Sequence, residues 1–268
     1  MLANSKKIRS AFFSKQVFLF DLDGTLYLGS KILPGARELL SKLRAENKSI
    51  YFFTNNSSRS ENEYVEKLKK MGFEVKPEEV IMSTHSLIWF LNLKKMQQVF
   101  LLGTPAMEQM LKNSGIQNVS TGEGAQAVVV GFDKTLTYEK LKRACELIES
   151  GVPYIVTHPD LYCPTDKGRE PDCGSFAAVL RLVTETDPIA VLGKPHSSMI
   201  EEVLRRSGAS KKSMILTGDR LSTDILMARR AGIESLLVLS GETTKQKLRA
   251  SRAKPRFVLD SVADLISV

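Results

Sequence analysis

The sequence predicts an α/β fold: a parallel sheet with its helices, interrupted by a second, smaller α/β unit. Three observations carry that prediction. Apolar runs without a polar break, such as Val17-Phe18-Leu19-Phe20 and Met214-Ile215-Leu216, read as strands buried on both faces of a parallel sheet. Between such runs lie stretches with leucines at helical spacing, as at Leu39, Leu40 and Leu43. Polar residues suited to catalysis follow the apolar runs near both ends of the chain but not convincingly between Val80 and Asp187. The expected organisation is therefore a core at 1–79 and 188–268 with an insertion at 80–187.

The 268 residues are 43% hydrophobic and 25% charged, enough for two modest cores. No apolar run approaches the roughly 18 residues of a membrane span, so no membrane partner is expected. Met1 to Gln16 is basic but lacks the apolar centre of a secretory signal, and reads as a short helix or extended lead-in. Cys145, Cys163 and Cys173 form no Cys-x-x-Cys pair and cannot all be bridged, which points to a reduced cytoplasm. The net charge is +8, but the basic residues are scattered and no basic and aromatic stripe suits nucleic acid. A positive field of this kind favours anionic substrates such as phosphate esters.

The first strand ends in Asp21-Leu22-Asp23-Gly24-Thr25. Gly24 and Thr25 supply a tight turn, so both carboxylates stand at the carboxyl end of the strand, where open α/β sheets place ligands. Two acids spaced by one residue point the same way and can divide labour, one attacking and one moving a proton. A helix at Ala36 to Leu43 precedes a second strand, Ile50 to Phe53, which ends in Thr54-Asn55-Asn56-Ser57-Ser58. Hydroxyl and amide donors straight after a buried strand suit an anion, and the same residues serve equally as a polar turn capping the helix from Glu61.

The middle of the chain alternates strands at Val99–Leu102, Ala127–Val130 and Tyr154–Val156 with helices at Ala106–Lys112 and Tyr138–Ile148. Gly122-Glu123-Gly124 precedes a strand instead of following one, so it is not a dinucleotide loop. Asp133 lacks a second carboxylate, and Thr137 reads as a helix cap, which makes that segment structural. Cys163 and Cys173, with His158, Asp160 and Asp172 nearby, match no usual zinc spacing and are read as free thiols on a mobile loop. That loop, Thr157 to Gly174, is long enough to be functional, and substrate recognition is its expected role.

After Ile189 a short apolar run ends in Gly193-Lys194-Pro195, and a helix follows from Ser197 to Arg206. Taken alone, Lys194 is an ordinary solvated lysine. The strand from Met214 then ends in Gly218-Asp219, with Asp224 five residues on at the start of a helix. Two acids so placed suit a hard cation with oxygen ligands, although Asp224 also fits a first-turn helix residue. Strands at Ser235–Leu239 and Phe257–Leu259 and a helix at Ser261–Ile266 complete the core.

Four signals thus occur in order: Asp-x-Asp-Gly-Thr, Thr-Asn, Gly-Lys-Pro and Gly-Asp-x-x-x-x-Asp. From Val17 onward the chain closely resembles the haloacid dehalogenase-like (HAD) superfamily of phosphohydrolases, in its subfamily IIA, p-nitrophenylphosphatase-like branch. That resemblance implies a Rossmann-like parallel-sheet core with an α/β cap inserted between the second and third signals. The stretch from Thr25 to Thr54 is too short for a cap, which argues against the phosphomutase-like branches.

The resemblance also implies roles. Asp21 is the nucleophile that forms an aspartyl-phosphate, and Asp23 protonates the leaving alkoxide and then activates water. Thr54, Asn55 and the backbone of Asn56 hold phosphoryl oxygens, and Lys194 neutralises charge. Mg²⁺ is held by Asp21, the main-chain carbonyl of Asp23 and Asp219, while Asp224 orients metal-bound water or Lys194. The implied substrate is a small phosphate ester, and caps of this type often mediate homodimers. His158 and Asp160 are the candidates for substrate contact in the cap, His158 having the alternative reading of a turn residue beside Pro159. Two other activities fit parts of the pattern: a phospho-acceptor with little turnover, which Asp23 opposes, and a metal-independent 2-haloacid dehalogenase, which Asp23 and Asp219 oppose.

Overall fold

The computed structural model describes residues 2–165 and 167–266. The lead-in is helical, α1 (Leu2–Phe13), because Phe12 packs on Phe18 with ring centroids 4.9 Å apart. Strand β1 (Val17–Asp21) follows, buried from Val17 to Phe20. A small hairpin, β2 (Tyr27–Leu28) and β3 (Lys31–Ile32), leads to α2 (Ala36–Ala45), whose Leu39, Leu40 and Leu43 are buried. Next come β4 (Ser49–Thr54), α3 (Glu61–Lys70) and β5 (Val80–Met82).

The chain continues through α4 (Ser83–Leu93), β6 (Gln98–Leu102), α5 (Pro105–Asn113), β7 (Gln117–Asn118), β8 (Ala127–Val130), α6 (Tyr138–Glu149) and β9 (Tyr154–Val156). An antiparallel hairpin, β10 (Tyr162–Thr165) and β11 (Gly168–Pro171), precedes α7 (Cys173–Thr184) and β12 (Ala190–Val191). Finally α8 (Ser198–Ser207), β13 (Met214–Gly218), α9 (Leu226–Ala231), β14 (Glu234–Val238), α10 (Lys245–Ala250) and β15 (Phe257–Leu259) follow. Side-chain oxygens of Thr104, Thr137, Asp172 and Thr244 accept backbone N–H bonds at the starts of α5, α6, α7 and α10, which fixes where each helix begins.

Two compact units result. The first comprises the chain up to Thr54, Tyr64–Ile81 and the described residues from Ile200 onward; the second comprises Asn55–Glu63 and Met82–Met199. The first unit's sheet runs β15-β14-β13-β1-β4-β5, with β1 parallel to both β13 and β4. Numbered by appearance within the sheet, this is the doubly wound order 3-2-1-4-5-6, in which ligands bind at the carboxyl ends where the order reverses. Pairing of Phe20 with Thr217 and of Asp21 with Phe53 brings Asp21, Thr54 and Asp219 to that edge.

The second sheet, β12-β9-β8-β6-β7, is parallel throughout, in the other doubly wound order, 2-1-3-4-5. Val99, Leu101, Val129 and Ile155 pack on one face with Leu87 and Leu111; Phe100, Leu102, Val128 and Val130 pack on the other with Leu147 and Leu180. Burial on both faces is why these strands read as continuous apolar runs. Its carboxyl edge is filled by the chain's own Asn55–Ser58 turn. Thr104, after β6, donates to Ser58 O at 2.9 Å; Phe132, after β8, donates its N–H to Ser57 Oγ at 2.8 Å; Thr157, after β9, lies 3.2 Å from Ser57 Oγ.

Several sequence expectations are corrected here. The return to the first unit falls at Ile200, not 188, because β12 adds to the second sheet beside β9. The insertion expected from residue 80 begins at Met82, since β5 is an edge strand of the first sheet, and Asn55–Glu63 joins the second unit through the bonds just described. The segment Thr157–Gly174 is not an open loop but carries the β10–β11 hairpin. Cys173 is not on a mobile loop: it is the buried first residue of α7. The helix expected at Ser261–Ile266 is a single 3₁₀ turn, Val262–Leu265. Among the described residues no helix is long and apolar enough to cross a membrane.

Candidate active site

In the first unit, Asp21 closes β1 and remains half-buried, while Thr25 Oγ1 donates to its Oδ2 at 3.4 Å. The turn after it is tight: Gly24 N–H donates to Tyr27 O at 2.7 Å, and Asp23 bridges to Tyr27. Gly24 has φ of +83°, and a Cβ there would stand 2.6 Å from Asp219 Oδ2, so glycine is needed for both conformation and space. Asp219 follows β13 and is almost wholly buried, and Asp224 is fully so. Carboxylate oxygens of Asp21, Asp219 and Asp224 lie within 4.8 Å of one another.

Three acids packed this closely repel. Burial, and then the negative charges of Asp21 and Asp224, push the Asp219 carboxyl up to about 8; the Glu242 N–H and Arg220 offset part of this. Asp219 Oδ2 accepts from the Glu242 N–H, whereas Oδ1 is buried with no hydrogen-bond partner among the described residues. Asp224 Oδ2 accepts from Arg220 N–H at 3.2 Å, which ties it into its own turn. Three carboxylates this close, one with a buried unsatisfied oxygen, are the donor set of a hard divalent cation, so these residues fit such an ion. Asp224 belongs to this cluster directly. Thr54, at the adjoining strand end, shares a hydrogen bond of 3.3 Å with Tyr64 Oη.

In the second unit, Lys194 is 3% exposed, unlike the solvated lysine that the isolated sequence signal suggests. Its main chain is clamped at two points: Lys194 N–H donates to Asn55 Oδ1 at 2.7 Å, and Asn55 Nδ2 donates to Lys194 O at 3.1 Å. The other Nδ2 hydrogen goes to Asp160 Oδ2 at 3.0 Å. The Asn55 side chain is committed to protein partners, leaving only its backbone for an anion. Asn56 Oδ1 accepts from Ser58 N–H and Oγ–H at 2.9 and 2.7 Å, so its side chain shapes the turn.

Of the cap candidates, His158 is fully buried, with Nε2 3.0 Å from Asp172 Oδ1 and Nδ1 2.9 Å from Thr157 Oγ1. Both ring nitrogens are engaged, which makes it a buried core residue. Asp160 accepts from the Asn55 amide. The Cys173 thiol is pushed up to about 12 by burial and donates to Val130 O at 3.0 Å, which makes it unreactive. Asp133 pairs with Lys140 at 2.8 Å, as a structural residue should.

The structure thus gathers Asp21, Asp219, Asp224 and Thr54 at one sheet edge in the first unit, and Asn55, Asp160 and Lys194 together in the second. Sequence reasoning overlooked Glu242, whose N–H holds Asp219. The signal was present: Ser240-Gly241-Glu242 is another small-residue turn directly after an apolar strand.

Residues 18–117 match the family model of haloacid dehalogenase-like hydrolases, and residues 191–265 match that of HAD-hydrolase-like proteins. The 5'-nucleotidase YutF of Bacillus subtilis is 32% identical over 93% of this chain and 96% of its own. The chain belongs to the haloacid dehalogenase-like hydrolase family. Within it, this HAD protein is a phosphatase of the p-nitrophenylphosphatase-like branch, subfamily IIA. The crystal structure of 4-nitrophenylphosphatase from Thermotoga maritima superimposes with a TM-score of 0.90 at 40% identity, covering 95% of this chain and 97% of that one. A glycerol phosphate phosphatase from Mycobacterium tuberculosis, in complex with magnesium, gives a TM-score of 0.88 at 31% identity, covering 94% of this chain and 76% of that one.

Proposed function

We propose that this HAD phosphatase hydrolyses small phosphomonoesters with Mg²⁺ through an aspartyl-phosphate on Asp21. The observation that carries the reading is the Asp21, Asp219 and Asp224 cluster, with its unsatisfied Asp219 oxygen, at the reversal point of the first sheet. Asp21 attacks phosphorus in line, and the bond from phosphorus to the ester oxygen breaks. Asp23 protonates the departing alkoxide. It then takes a proton from water, which attacks the acyl phosphate, frees orthophosphate and regenerates Asp21.

Thr54 Oγ1 and the backbone N–H groups of Asn55 and Asn56 donate to phosphoryl oxygens, and the Lys194 ammonium balances their charge. Asp21, the Asp23 carbonyl and Asp219 would hold Mg²⁺, with Asp224 beside them, and the bound ion would supply charge neutralisation. Selectivity among esters resides in the β10–β11 hairpin. The relatives' names span a nucleotide, a nitrophenyl ester and glycerol phosphate, consistent with a common phosphoryl centre and varied leaving groups. Release of p-nitrophenolate from p-nitrophenyl phosphate, with Mg²⁺ and with EDTA, tests the reading. Equal rates under the two conditions reject the metal's part, and an undiminished Asp21→Asn enzyme rejects the nucleophile.

A further inference from the structure

We propose that Asp160 is a positioning residue for Lys194, acting through the side-chain amide of Asn55; this rests on the reading of Lys194 as a phosphoryl-binding cation. An asparagine amide has two N–H donors and one carbonyl oxygen. At Asn55 one donor and the carbonyl grip the Lys194 main chain, and the second donor is held by the Asp160 carboxylate at 3.0 Å. Asp160 therefore fixes the plane of the amide, and the amide fixes the backbone from which the lysine projects.

Space around the amide reinforces this. Gly193, with φ of +67°, lies so close that a Cβ would stand 2.8 Å from Asn55 Oδ1 and 2.8 Å from Thr157 O. A side chain at position 193 would therefore displace the amide. Asp160 itself is anchored by its backbone, whose carbonyl accepts the Gly174 N–H at 2.8 Å at the start of α7. Removing its carboxylate thus loosens Asn55 without releasing the Asp160 backbone.

A metal is the other use for this corner, since His158, Asp160 and Asp172 offer ligand atoms within 4.8 Å of one another. That use is disfavoured. His158 Nε2 and Asp172 Oδ1 already bond to each other, and Asp160 is engaged with Asn55.

The test measures the position of Lys194 directly, by competitive acetylation with acetic anhydride and peptide mass spectrometry, beside turnover of p-nitrophenyl phosphate. Asp160→Ala and Asp160→Ser, the latter polar but too short to reach Asn55, are expected to acetylate Lys194 several times faster than the unmodified protein. Lys140, paired with Asp133 in the same unit, serves as the fold control and keeps its rate. Both variants are expected to lose roughly ten- to hundredfold in kcat/KM, the scale of a small misplacement of a binding group, at unchanged half-saturating Mg²⁺. Asp160→Asn keeps an acceptor oxygen and recovers most of both properties.

Unchanged Lys194 acetylation in the alanine and serine variants overturns the proposal, as does an asparagine variant no better than alanine. Where acetylation responds but Lys194→Met hydrolyses p-nitrophenyl phosphate at the full rate, the positioning stands and the phosphoryl-binding role of Lys194 falls.

Discussion

Asp219 and Asp21, 198 positions apart in the chain, present carboxylate oxygens within 4.8 Å of each other across the paired strand ends of β13 and β1. Two like charges this close in a buried site are unfavourable unless a proton or a cation joins them.

The first consequence is a pH dependence of stability. The Asp219 carboxyl is raised to about 8 in the folded protein, so the fold binds a proton that the unfolded chain releases near pH 4. Its contribution is fully present at low pH and is lost as pH rises from about 4 through about 8. Metal-free protein is therefore expected to melt at lower temperature at pH 8 than at pH 5.5. A cation replaces the proton, so Mg²⁺ at about 100 times its Kd adds about 2.7 kcal/mol at pH 8 and less at pH 5.5. Scanning calorimetry at the two pH values checks both, and Asp219→Asn abolishes the Mg²⁺ effect.

Asp21 and Asp23 separate kinetically. p-Nitrophenolate leaves without protonation, so Asp23→Asn still undergoes the first step and accumulates phosphoenzyme, giving a stoichiometric burst and slow turnover. Asp21→Asn gives no burst and loses on the order of 10³-fold or more in kcat. Rapid-quench measurement of p-nitrophenolate distinguishes the pair.

His158 belongs to the core, with both ring nitrogens bonded in the chain Ser57, Thr157, His158, Asp172. His158→Ala is expected to destabilise the protein by about 2–4 kcal/mol, through lost packing and the lost bond to the buried Asp172. Chemical denaturation measures this. The rank order of kcat/KM over a panel of phosphate esters stays the same; a reordered panel returns His158 to the substrate.

Exchange of residues 162–171 for a hairpin of different sequence alters that rank order and leaves half-saturating Mg²⁺ unchanged. The exchange stops short of Asp160, His158 and Asp172, because those side chains hold the turn at Asn55 and the base of the hairpin.

Asp21, Thr54 and Asp219 were legible because each follows a run of apolar residues buried on both faces, and in a parallel sheet such runs end on the same side. Lys194 was legible only in company with the other motifs. Burial and partners were not. Asn55 grips a main chain 139 positions away, and no local pattern encodes that contact. Unit boundaries escaped for a related reason. Ala190–Val191 and Val80–Met82 are too short to show a period, and which sheet they join depends on neighbours distant in sequence. The β10–β11 hairpin is largely exposed and carries Pro164, Gly168 and Pro171, so it lacks alternation.

The turn seated on the second sheet sets a condition for anyone recombining these proteins. A sheet of that order ordinarily leaves its upper rim open to a diffusible guest, yet here the berth is taken by four residues of the host polypeptide. A second unit transplanted as the contiguous block 82–199 would bring Thr104, Phe132 and Thr157 but leave behind their partners Ser57 and Ser58, so the recipient's own turn would have to supply matching groups. Chimaeras that carry residues 55–63 along with the block keep the tongue with its groove, and they are the ones worth building.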